Sequence, residues 1–68
     1  MSSAKEQTAA RYVIQFLLED GQTMMQIARR TGIHKSALTA FYRGIHGHDL
    51  TPSEIGKLER LHDQVTTE

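Results

Sequence analysis

The chain has 68 residues, no cysteine, and eight cations that balance eight acids. A chain this short buries only about 60% of the surface it exposes when unfolded, so it forms one domain of marginal intrinsic stability. Without cysteine, disulfides and thiolate metal sites are excluded, which leaves tight helix packing, oligomerisation or both as sources of stability.

The first predicted element is a helix over residues 5–19. Ala10, Val13, Ile14 and Leu17 recur at i, i+3, i+4 and i+7, the spacing of a helix with one buried face, with Tyr12 and Phe16 beside the stripe. Gly21 suits the left-handed position just past the end of that helix. A second helix is expected over 24–31, where Thr23 and Gln26 form a capping-box pattern, Ile27 and Ala28 face inward and Gly32 ends the segment. The third runs over 35–43, with Leu38 and Phe41 inward and Gly44 as its stop. The fourth has the clearest start: Thr51, Pro52, Ser53 and Glu54 supply a cap, a first-turn proline and a capping-box glutamate in order. Ile55, Leu58, Leu61 and Val65 then give its apolar stripe over 52–65. The predicted fold is all-α, a compact four-helix domain without strands, internal repeats or linkers.

No apolar run approaches the roughly 20 residues that span a bilayer. Residues 1–6 lack the apolar core of a signal peptide, so a soluble, cytoplasmic protein is expected. The zero net charge conceals an uneven distribution. Residues 21–48 carry Arg29, Arg30, Lys35 and Arg43 and no acid, whereas the segments on either side are net acidic. A segment free of carboxylates is the one able to lie against phosphate.

That segment coincides with a motif. Two short helices joined by a glycine-containing turn define a helix-turn-helix, here over 23–44. Ala28 is small where the two helices cross, and Gly32 supplies a turn position expected to need positive φ. Ile33, Leu38 and Phe41 point back to the shared core, which leaves Lys35, Ser36, Thr39, Ala40 and Arg43 on the outer face.

In Thr23, Ile27, Ala28, Gly32, Ile33, Ser36, Leu38 and Gly44, taken in register, the chain resembles the Cro and lambda-repressor (XRE-type) family of bacterial and phage regulators. The start at Thr51, Pro52 and Ser53 resembles that family's next helix, so the similarity covers roughly residues 10–62. Met24, His34, Ala40, Phe41 and Tyr42 depart from the family's usual residues. The resemblance implies a recognition helix in the major groove of double-stranded DNA, with Lys35, Ser36, Thr39 and Ala40 at base edges. It also implies backbone contacts from Thr23, Gln26, His34, Tyr42, Arg43 and His46.

One short recognition helix per chain calls for two copies on a palindromic operator. A homodimer is therefore expected, with Ile55, Leu58, Leu61, His62 and Val65 as its candidate interface, although the same stripe can instead close the monomer core. The implied function is a small repressor of phage, plasmid or mobile-element type. The rival is a protein-binding module, antitoxin-like or inhibitory, that keeps the fold and uses Met24, Met25, Phe41 and Tyr42 as contacts. No cofactor, metal or small-molecule ligand is expected, since the four histidines have no acid or cysteine at ligand spacing. No nucleophile with a nearby base appears either, so the chain does not read as an enzyme.

Overall fold

In the computed structural model, described for residues 4–45 and 47–67, four helices follow one another: α1 (Ala4–Glu19), α2 (Met24–Thr31), α3 (Lys35–Tyr42) and α4 (Pro52–Thr66). The expected bounds hold to within one residue at every end. The largest difference in kind is at Arg43, which caps α3 rather than belonging to it.

The starts of α2 and α4 and the ends of α1 and α3 have local causes. Thr23 accepts from the Gln26 amide while the Gln26 side chain accepts from the Thr23 amide, and Thr51 and Glu54 do the same for α4 with Pro52 in its first turn. α1 ends in a left-handed Gly21 (φ 100°), whose amide donates to Leu18 while that of Gln22 donates to Leu17. α3 ends the same way, with Gly44 (φ 75°) donating to Phe41 and Ile45 donating to Ala40. Both are six-residue reversals that satisfy carbonyls otherwise left open at a helix end.

The core holds Ala10, Ile14 and Leu17 of α1, Ile27 and Ile33 of the α2 region, Leu38 and Phe41 of α3, and Ile55, Leu58 and Leu61 of α4, closed by Leu50. α1 and α4 make the most extensive helix pair. α2 packs on α3 and α4, and α3 rests on α2 and α1. Because α3 is held from one side only, its opposite face is left to solvent.

Among the described residues, two polar ones lie inside. Gln7 is buried and pairs with both backbone polar groups of Leu50, donating to its carbonyl at 2.9 Å and accepting from its amide at 3.0 Å. Thr31 is buried at the turn, donates to the Ile27 carbonyl at 2.8 Å and accepts from the Ile33 amide at 3.3 Å. Among the described residues, no helix is long and apolar enough to cross a membrane.

The fourth-helix stripe takes, for most of its length, the second of the two roles open to it, closing the monomer core. Ile55, Leu58 and Leu61 are buried inside the monomer, so in this conformation they are not available to a second copy. Only His62 and Val65 of the predicted dimer surface remain half-buried at the rim, where the His62 ring meets Phe16 edge-on with centroids 4.9 Å apart. α4 closes the core because it packs along α1 and also against α2.

Candidate nucleic-acid interface

α2, the turn at Gly32 and α3 form one unit. Gly32 adopts φ 76° and its amide donates to the Ala28 carbonyl, closing α2 in the left-handed conformation expected of it. Ile33 is buried immediately afterwards and anchors the turn, and His34 occupies the N-cap position of α3. The His34 side chain makes no capping bond, although its carbonyl accepts from the Leu38 amide at 3.0 Å. His34 is exposed, leaving its ring free on the outer side of the turn.

With Leu38 and Phe41 buried, the opposite face of α3 is set by helical spacing. Lys35, Ser36, Thr39, Ala40 and Arg43 line one shallow groove there, joined by Ile45. The structure thus brings all four predicted base-edge residues together with Arg43. Lys35, Ser36 and Arg43 are exposed, while Thr39 and Ala40 are half-buried in the floor. The Thr39 hydroxyl donates to the Lys35 carbonyl at 2.8 Å, so its proton is engaged and the oxygen can only accept from a ligand. A second recess beside it is lined by Met25, Arg29, His34 and Lys35 around the turn glycine. Lys35 borders both.

The electrostatics of the two helices are alike. Neither α2 nor α3 has an acid in its first turn, in contrast to Glu6 in α1 and Glu54 in α4. Both therefore leave the positive end of the helix dipole uncancelled. No carboxylate lines either recess.

Other predicted contacts are placed differently. Thr23 and Gln26 stand at the start of α2, but the capping box occupies both of their backbone amides. What remains for an anion there is the Gln26 side-chain NH₂ group and the amides of Met24 and Met25, which as the first helical residues have no intrahelical acceptor. Tyr42 is half-buried against the core and does not line the groove. His46 lies outside the described residues. Of the apolar residues named for a protein-binding role, Phe41 is fully buried and Met24 is packed against the core, which leaves Met25 as the exposed one.

Comparison of the chain with protein-family models, with curated proteins and with solved structures finds no match. Any functional assignment therefore rests on the chemistry of these residues.

One supporting residue was not legible in the sequence. Arg11 of α1 donates through Nε to the Phe41 carbonyl at 3.1 Å, and its guanidinium carbon lies 4.6 Å from the centre of the Phe41 ring. It places a cation at the C-terminal end of α3, where the helix dipole is negative, and fixes the end of the groove-forming helix. Nothing in the spacing of α1 signals this, because the partner is 30 residues away.

Proposed function

We propose that this chain is a sequence-specific double-stranded DNA-binding regulator of the Cro and lambda-repressor type, reading the major groove with α3. The observation that carries the proposal is the face of α3. Lys35, Ser36, Thr39, Ala40 and Arg43 line one acid-free groove on a helix anchored from behind by buried Leu38 and Phe41, at the second helix of a helix-turn-helix. Lys35 is suited to donate to guanine O6 and N7, Ser36 to donate or accept, and Thr39 to accept from an exocyclic amine. Ala40 offers a methyl group to thymine. Arg43 and His34, at the two ends of α3, are suited to phosphate.

Two copies on a two-fold symmetric site would supply the affinity that one eight-residue helix lacks. Occupancy of a promoter is the simplest mode of action for such a domain, which makes a small repressor of phage, plasmid or mobile-element origin the preferred assignment. Selection of bound sequences from a random duplex pool at physiological salt tests it. Enrichment of a symmetric site is expected, and a pool that enriches nothing would overturn the assignment.

A second assignment, a protein-binding module, is favoured by a different observation. Ile45 is 49% exposed along the same groove, and Met25 is 48% exposed beside the turn. Exposed apolar side chains next to cations suit a protein contact as well as a nucleic-acid one. Tight capture of one protein partner, with no duplex preference, would establish that alternative.

A further inference from the structure

The adjacent arginines at the end of α2 point to different places. Arg29 lines the recess beside the turn, with His34 and Lys35. Arg30 lines a separate recess of about 250 Å³ between α2 and α4, together with Thr31, Lys57, Arg60, Leu61 and Gln64. Three cations and no carboxylate therefore line one recess, in a chain whose net charge is zero.

The segregation comes from α4. Positions 57, 60 and 64 are spaced i, i+3 and i+7 along one edge, while Glu59 and Asp63 lie on the flanking edge, Asp63 three residues after Arg60, and neither acid lines the recess. The acid nearest Lys57 in sequence on its own side is Glu54, and its side chain is committed to the Thr51 amide at 2.9 Å. No hydrogen bond or ion pair joins Arg30, Lys57 or Arg60 to another described residue. Lys57 and Arg60 are like charges three residues apart on the helix and repel each other, and no ion pair to Glu54 or Asp63 holds either one in place. The dipole of α2 accounts for Arg30 at its C-terminal turn. It does not account for Lys57 and Arg60, which lie in the middle of α4.

The rest of the lining narrows the ligand. Leu61 and Thr31 are buried beneath, and the Thr31 hydroxyl proton is given to Ile27. The recess thus offers two guanidinium forks, one ammonium and one carboxamide, with no aromatic ring to stack on. Guanidinium forks match the oxygens of a phosphate in bidentate fashion, and the ammonium adds a point charge. We propose that this recess is a binding site for a diphosphate group, carried either by inorganic diphosphate or by a nucleoside diphosphate. The site is distinct from the α3 groove and does not depend on DNA binding.

The test is a titration of the ¹⁵N-labelled full chain with sodium pyrophosphate, and separately with a nucleoside diphosphate, at physiological salt. Saturable shifts are expected in both titrations at Arg30, Lys57, Arg60 and Gln64, with a rise in melting temperature as ligand is added. Equal affinities would show that the diphosphate is the whole recognition element, and a tighter nucleotide would show that it anchors a larger ligand. Lys57→Gln and Arg60→Gln should each weaken pyrophosphate by roughly tenfold, the effect of losing one charged hydrogen-bond donor. Lys5→Gln, which removes an exposed cation elsewhere, should leave the affinity unaltered. Circular dichroism of each variant separates lost binding from lost fold. Absence of saturation at millimolar pyrophosphate, or an equal loss in Lys5→Gln, would overturn the proposal. So would shifts at these residues with duplex DNA alone, which would make the recess a backbone contact.

Discussion

The side-chain carboxamide of Gln7 closes a two-bond clamp on the backbone of Leu50, 43 residues away, and so ties the loop after α3 to the first turns of α1. Leu50 is buried, and water cannot replace either bond readily. Gln7→Met, which keeps the length but removes both polar groups, should cost about 1–3 kcal/mol per backbone group left unpaired. Chemical denaturation measures the loss, and faster hydrogen exchange at the Leu50 amide locates it. An unchanged midpoint would mean that the loop re-pairs elsewhere.

Arg11 and Phe41 form the second long-range link. Arg11→Met retains the aliphatic stem but removes the bond to the Phe41 carbonyl and the charge over its ring. A charged hydrogen bond is worth ~1.5–3 kcal/mol, so a fall in stability near the lower end of that range is expected for this half-buried group. Exchange at the last amides of α3 should accelerate more than exchange in α4.

The same substitution should have opposite signs at two glycines. Gly32 has φ 76°, and although no atom would obstruct a Cβ there, alanine in that conformation costs roughly 1–2 kcal/mol. Gly56 is an exposed, ordinary helical position in α4 with open space at its Cβ. Gly56→Ala should therefore raise stability by about 0.5–1 kcal/mol. Melting curves of the two variants, recorded together, check both signs.

If α3 reads DNA, its residues should separate by kind of effect. Lys35→Ala and Thr39→Ala should relax preference at particular base positions by ~1–3 kcal/mol each. Arg43→Ala should instead weaken all duplexes alike and reduce the salt slope by about one. Binding measured over a range of salt, on a selected site and on a scrambled one, distinguishes the two patterns.

The elements themselves were legible because their signals are local. Capping boxes at Thr23 and Thr51, the glycines at 21, 32 and 44, and the 3.6-residue stripes act within one or two helical turns, so spacing alone places them. The same periodicity put Leu38 and Phe41 inward, which sets the outer face of α3 without reference to any other helix.

Whether an apolar stripe closes a core or meets a second chain is not a local property. Ile55, Leu58 and Leu61 carry the same pattern in either case, and only the packing of α4 on α1 and α2 assigns them to the interior. Gln7 and Thr31 read as ordinary polar residues until their backbone partners are brought to them. Arg29 and Arg30 are neighbours in the chain, yet the rotation of α2 sends one to the turn and the other to α4. Local hydrogen bonds and side-chain spacing dictate where helices begin, end and turn their apolar faces. Contacts between residues tens of positions apart depend on how those helices are stacked, and that is decided only when the chain folds.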